Sequence, residues 1–284
     1  MPAQPTKPIE LIAYCGHAGD HNSLAMAGAL ALGTALSGRL GLPLAVIGKP
    51  GAALNAGWET QLSAAAPALS ELAGGLDRLL AAGRAPILTL SRCAAALATL
   101  PVVMRHRPDA CVVWLDAHGD LNTPLTTVSG YLGGMALAGP AGLWDFGFGS
   151  GLPLSRLILV GARDLDPAER ALVEAGAVRL IPAGQDGPAQ LQAALDGRPL
   201  YVHLDCDVLE PGVVPTDYRV AGGYTLAGLN ALCQVMAQSE LIGFEIAEFE
   251  AAWSENGEPV APDALLQALA PLIFGLGAGA VAQG

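Results

Sequence analysis

The 284 residues predict an α/β fold, a three-layer sandwich in which an eight-stranded, mostly parallel sheet is covered by helices on both faces. Three observations predict it. Short β-branched or apolar runs alternate along the chain with longer Ala- and Leu-rich stretches of helical period. Strands interleaved with helices in this way pair in parallel, and such a sheet buries both faces. Hydrophobic residues make up 52% of the chain, with Gly and Ala supplying much of that, and 14% are charged, a composition that suits a soluble α/β protein. The length allows one large domain or two small ones. No internal repeat or linker-like stretch divides it, so a single domain over residues 1–284 is expected.

In chain order, the apolar runs Glu10–Cys15, Pro43–Gly48, Ala85–Leu90 and Ala110–Leu115 are read as the first four strands, and Leu157–Gly161, Val178–Ile181, Leu200–Asp205 and Leu241–Glu245 as the second four. Between and after them, Ser23–Gly38, Gln61–Ala82, Ala94–His106, Pro167–Ala175, Ala189–Leu195, Leu226–Gln238 and Pro262–Phe274 carry the helical period. The Gly-rich stretch Gly133–Pro153 has no clear period and is expected to be a loop or lid over the sheet edge.

Composition narrows the function classes. Every apolar run is broken by Gly, Pro or a charge before the ~18–20 residues of a membrane span, so no membrane association is expected. Met1–Glu10 is polar and does not read as a signal peptide. The formal net charge is −12 and no basic run exists, which argues against nucleic acid as a partner. Five cysteines, odd in number and without CxxC spacing, suggest neither a disulfide framework nor a zinc knuckle, and a reducing cytoplasm fits.

The chemistry lies just past the strand ends. Asp116–Asp120 follows the fourth strand, Asp164 and Asp166 the fifth; Asp205 and Asp207 close the seventh, and Glu248 follows the eighth. Ligands of an open parallel sheet bind outside the carboxyl ends of its strands, so these residues are expected to converge on one edge. In DAHGD (Asp116, His118, Asp120), ligand-type side chains at alternate positions point one way if the segment stays extended, and Asp205–Cys206–Asp207 repeats the pattern. Four carboxylates and an imidazole form a hard, oxygen-rich set suited to Mn²⁺, Mg²⁺ or a related divalent ion. Two ions are expected, because so much negative charge repels itself around one.

The stretch DAHGDLNTPLTTVSG (Asp116–Gly130), with LDCDVLEP (Leu204–Pro211) and GFEIAEF (Gly243–Phe249), resembles the ureohydrolase superfamily over about Pro86 to Phe249. Its members, the arginases, agmatinases and relatives, hydrolyse guanidino groups at a dinuclear manganese centre. The resemblance implies an arginase-like fold and two Mn²⁺ ions bridged by Asp116 and Asp205. Asp120 would bind one ion alone, and His118 and Asp207 the other. It makes Glu248 the carboxylate that pairs with the substrate guanidinium. RDLDPAE (Arg163–Glu169) matches the arginase segment whose carboxylates, here Asp166 and Glu169, hold the substrate α-amino group; Asn122 and Ser129 match positions that bind the α-carboxylate. A helix N-cap before Pro167 explains Asp166 equally well.

Two family histidines are missing. Where arginases carry GGDHS after the third strand, this chain has Leu90–Ser91–Arg92–Cys93–Ala94, so Cys93 occupies the place of a histidine ligand and is expected to bind metal through sulfur. GDHNS (Gly19–Ser23) imitates the lost motif but follows the first strand, and it is read as a turn with a helix cap; His17 and His21 are not assigned to the metals. Arginases also carry a histidine in SGNLHG, thought to protonate the departing amine; here the segment is Ser129–Gly130–Tyr131–Leu132–Gly133–Gly134. Without that acid, an easier leaving group is expected, and an N-hydroxyguanidine, being less basic, fits. ALATLPVV (Ala96–Val103), SGYLGGMALAG (Ser129–Gly139) and LIGFEIAE (Leu241–Glu248) resemble the branch that hydrolyses Nω-hydroxy-L-arginine to hydroxyurea and L-ornithine in D-cycloserine biosynthesis. The expected function is therefore metal-dependent hydrolysis of an arginine-like guanidino amino acid, Nω-hydroxy-L-arginine preferred. The alternatives are a hydrolase of another guanidino compound and an inactive, metal-binding homologue.

Overall fold

The computed structural model describes residues 7–277. Most of the polar N-terminal segment read above, residues 1–6, lies outside them. Eight strands are present: β1 (Ile9–Tyr14), β2 (Leu44–Ile47), β3 (Ala85–Leu90), β4 (Cys111–Leu115), β5 (Leu157–Val160), β6 (Arg179–Ile181), β7 (Leu200–Asp205) and β8 (Leu241–Ala247). They form one sheet in the order β2-β1-β3-β8-β7-β4-β5-β6. Every pairing in it is parallel, so the mostly parallel expectation is met in full.

Alternation along each strand feeds two separate cores. In β4, Cys111, Val113 and Leu115 face one helical layer while Val112 and Trp114 face the other. The first layer holds α1 (Leu24–Leu40), α5 (Gly187–Leu195), α6 (Leu226–Met236), α7 (Asp263–Ala268) and α8 (Ala270–Gly275). The second is built mainly by α2 (Trp58–Ala81) and α3 (Ala96–His106), with α4 (Pro167–Glu174) at its margin. β3, β4, β5, β7 and β8 are buried along their whole length, which is why they read as largely apolar runs. Among the described residues, no helix is long and apolar enough to cross a membrane.

Two expectations are corrected. The helix expected over Pro262–Phe274 is two helices, because Pro271 in the first turn of α8 has no N–H to return to the carbonyl four residues back. The stretch Gly133–Pro153 is not a lid over the sheet edge in its first half. Met135, Ala136 and Leu137 are fully buried in the α2–α3 core and Ala138 is fully buried as well, where a lid would leave them in water. This inward segment also braces the loop after β4: Leu137 and Ala138 donate to the Asp120 carbonyl at 2.9 and 3.2 Å, and Asn122 N–H donates to the Gly134 carbonyl at 2.9 Å.

Candidate metal centre and active site

The strand order sets neighbouring chain ends side by side. Moving along β3-β8-β7-β4-β5, the carboxyl ends present Cys93, then Glu248, then Asp205 and Asp207, then Asp116 to Asp120, then Asp164 and Asp166. They surround a cavity of about 230 Å³. Of the residues singled out from the sequence, Cys93, His118, Asp120, Asn122, Ser129, Asp166, Glu169, Asp205, Asp207 and Glu248 all line it. Asp116 is the exception; it lies beneath the floor, 1% exposed. His17 and His21, set aside above, pair instead with Asp20 and Asp217.

Backbone geometry aims the floor. Asp116 Oδ1 accepts the His118 N–H at 2.6 Å, and its Oδ2 accepts the indole N–H of Trp114 at 2.9 Å. Asp205 caps the turn Cys206–Val208 by accepting the Asp207 N–H at 2.7 Å, and Asp207 accepts the Ala117 N–H at 3.0 Å. This last bond ties the β7 loop to the β4 loop. Asp120 and Glu248 adopt left-handed backbone, φ 53° and 64°, which non-glycine residues rarely do. Such strain is held only where surrounding contacts over-determine it, and here it falls on an expected metal ligand and on the carboxylate expected to meet the guanidinium.

The electrostatics call for cations. Burial raises the carboxyls of Asp120, Asp205 and Asp207 above their ordinary range, Asp207 to about 6, and repulsion from Asp116 adds to each. Burial opposes the charge on His118, but hydrogen bonds to Asp116 and Asp207 outweigh it and raise its pKa strongly. Burial, then repulsion from Asp205, also holds the Cys93 thiol protonated, and its S–H donates to Asp205 Oδ2 at 3.0 Å. Ligand atoms fall within 4.8 Å of one another in three groups: Cys93–Asp116–Asp120, Cys93–Asp205–Glu248 and Asp116–His118–Asp207. Asp116 belongs to both the Cys93 side and the His118 side, the position a bridging ligand needs. A buried, mutually repelling set of carboxyls with one thiol and one imidazole fits two divalent ions.

Around this floor the structure adds residues the sequence reading did not assign. Arg92, wholly buried, donates to Glu248 Oε2 at 2.7 Å, and the Cys93 N–H donates to Oε1 at 2.8 Å. The carboxylate expected to meet a guanidinium thus already carries one. Asp217 lies 3.5 Å from the Arg92 guanidinium, and Asp20 and Glu250 each 3.7 Å, which keeps the buried cation compensated. Tyr131 is the second. A side chain at Gly133 would begin 2.3 Å from the Tyr131 ring, so the tyrosine occupies the space a residue at 133 would use. Its hydroxyl lines the cavity, is buried, and has no hydrogen-bond partner among the described residues. Burial, then the charge of Glu248, keeps that hydroxyl protonated. The signal was present in the sequence: relative to SGNLHG, SGYLGG gains a ring at 131 and loses one at 133.

On the opposite wall, Asn122 Nδ2 donates to Asp166 Oδ2 at 2.7 Å, joining two residues expected to hold different ends of an amino acid. Glu169 accepts the N–H groups of Leu121 and Asp166, each at 2.9 Å, pinning the loop after β4 to the start of α4. Ser129 accepts the Tyr131 N–H at 3.2 Å.

Residues 56–269 match the Arginase family. Over 266 residues the chain is 39% identical to the Nω-hydroxy-L-arginine amidinohydrolase of Streptomyces lavendulae, covering 93% of this chain and 96% of that one. It is 28% identical to the arginase of Bacillus caldovelox over 199 residues, 64% of this chain and 66% of the other. The solved structure of Bacillus caldovelox arginase superposes with a TM-score of 0.79 at 24% identity, covering 97% of this chain and all of that one. Entamoeba histolytica arginase superposes with a TM-score of 0.81 at 18% identity, covering 95% and 99%. By the family match over residues 56–269 and the identity to its relatives, the chain belongs to the arginase family.

Proposed function

We propose that this chain hydrolyses the guanidino group of Nω-hydroxy-L-arginine, in preference to L-arginine, giving hydroxyurea and L-ornithine. The observation that carries the preference is Tyr131 standing in the space of residue 133: among the residues lining the cavity, His118 is the sole imidazole, and it belongs to the candidate metal set. The 39% identity to an enzyme named for this substrate supports the same reading.

Cys93, Asp116, Asp120 and Asp205 are proposed to hold one ion and Asp116, His118, Asp205 and Asp207 the other, with Mn²⁺ the expected metal. Bound divalent ions supply the acidity that makes a water nucleophilic at neutral pH. Asp120, strained and aimed into the cavity, is a ligand that also faces the reacting centre. Glu248 orients the amidino group, but Arg92 already neutralises part of its charge, which favours a less basic N-hydroxyguanidine over a permanent cation. The Tyr131 hydroxyl, protonated and without a partner among the described residues, offers the hydrogen bond that a departing or hydroxylated nitrogen requires. Asp166, oriented by Asn122 and backed by Glu169, is proposed to hold the α-ammonium, with Asn122 and Ser129 toward the α-carboxylate.

The test is product analysis with the Mn²⁺-loaded protein on Nω-hydroxy-L-arginine. Hydroxyurea and L-ornithine in equal amounts are expected. Full metal content without turnover would instead make this an inactive, metal-binding member of the family.

A further inference from the structure

Behind the cavity floor, between the sheet and the α2–α3 layer, lies a polar row that the chemistry above does not use. Trp114, His203 and Glu245 stand in register on the adjacent strands β4, β7 and β8. All three are wholly buried. The His203 ring stacks on the Trp114 indole, centroids 3.5 Å apart and planes within 6°. Glu245 is surrounded by donors: the Thr99 hydroxyl at 2.8 Å, the Tyr201 hydroxyl at 2.7 Å and His203 Nδ1 at 2.6 Å. The other ring nitrogen, Nε2, lies 3.1 Å from Cys93 Sγ, so the imidazole spans the gap between the carboxylate and the sulfur.

An imidazole and a carboxylate buried in an apolar layer are costly unless fully partnered, and apolar side chains of similar size would pack there at lower cost. Here every polar atom of the row has a polar neighbour within hydrogen-bonding distance, and the row leads to one sulfur. That sulfur belongs to two of the three candidate ligand groups. A cysteine side chain has three staggered rotamers, and rotation about χ1 would carry Sγ out of both groups. We infer that His203, held in plane by Trp114 and anchored at Nδ1 by Glu245, is a positioning residue that fixes Cys93 Sγ for metal ligation. Histidine orientation by a carboxylate is common behind metal sites, usually where the histidine is itself the ligand. In this chain the same device stands one bond network further back, behind a thiol. The inference rests on the proposed sulfur ligation by Cys93.

The test uses the full-length chain with Co²⁺ as the probe, because a thiolate on cobalt gives a charge-transfer absorption that carboxylates and imidazoles do not. The wild type is expected to show that band and Cys93→Ser to lose it. His203→Asn is expected to weaken cobalt binding about tenfold or more and to shift or bleach the band, and Glu245→Gln to do the same to a smaller degree. A folded His203→Asn variant with wild-type cobalt affinity and an unchanged band overturns the inference. If His203→Asn does not fold, Glu245→Gln, which keeps volume and hydrogen-bonding capacity, decides on the same two readings. A band that survives Cys93→Ser overturns the sulfur ligation itself, and so separates failure of that reading from failure of the positioning role.

Discussion

Tyr131 and Gly133 exchange roles across one tight turn. The ring at 131 fills the volume above Gly133 and leaves its hydroxyl, without a hydrogen-bond partner among the described residues, on the cavity wall. Substituting Tyr131→Phe keeps the ring and its packing and removes only the hydroxyl. On Nω-hydroxy-L-arginine kcat is expected to fall about tenfold to a hundredfold with KM little changed, since the lost hydrogen bond serves the leaving group. Steady-state kinetics on the two proteins decide it; an unchanged kcat would show that Tyr131 is packing alone. Neither Tyr131 nor Arg92 was assigned a role from the sequence. A buried arginine in a single sequence looks like any other arginine until the carboxylates around it, Asp20, Asp217, Glu248 and Glu250, are brought together from distant loops. His203 had a visible signal in the alternation Tyr201–His203–Asp205, which placed it on the face of a metal-ligand candidate, but its partner Glu245 comes from a neighbouring strand.

At the scale of elements, the site depends on how helices seat the loops at the strand ends. α1 passes so close to the loop after β8 that a Cβ at Gly28 would lie 1.8 Å from the Phe249 carbonyl oxygen. Gly28→Ala must therefore displace either α1 or the segment carrying Glu248. A loss of about 1–3 kcal/mol is expected, measured by denaturant unfolding of the two proteins. The loops after β4 and β5 carry the opposite wall, where Asn122 and Asp166 meet. If that wall reads an amino acid, Nω-hydroxy-L-arginine should exceed its decarboxylated analogue hydroxyagmatine in kcat/KM by about tenfold or more, equivalent to about 1.4 kcal/mol. Equal values would remove Asn122 and Ser129 from recognition. The elements themselves were largely legible. β3, β4, β5, β7 and β8 are buried on both faces and so read as largely apolar runs, and their ends pointed to the site. The break at Pro271 and the inward course of Met135–Ala138 were less so, since a short helical break and a buried irregular segment have no period to show.

The whole molecule carries a stability signature of its buried charge. A carboxyl whose pKa is raised by folding contributes stability below its ordinary value, 3.8 for aspartate, and that contribution is lost as pH rises through the folded value, about 6 for Asp207. Asp120 and Asp205 are raised as well, and His118, also raised, acts in the same direction above its ordinary 6.5. Asp116 is the opposite case; hydrogen bonds to His118 outweigh its burial and lower its pKa, so it matters only below 3.8. The metal-free protein is therefore expected to melt at a higher temperature at pH 5 than at pH 7. With saturating Mn²⁺ the order should reverse, because the ligands bind metal in their deprotonated forms and compete with protons. Thermal unfolding at the two pH values, with chelator and with Mn²⁺, checks both slopes.

Tyr131 in place of an imidazole and Arg92 on Glu248 together favour a hydroxylated guanidino group over an ordinary one. The most direct test of this preference is the ratio of kcat/KM for Nω-hydroxy-L-arginine over L-arginine on the Mn²⁺-loaded chain, read from hydroxyurea and urea release. A ratio of about a hundredfold or more is expected, the contribution of a lost general acid. A ratio near one, or one that favours L-arginine, would contradict it.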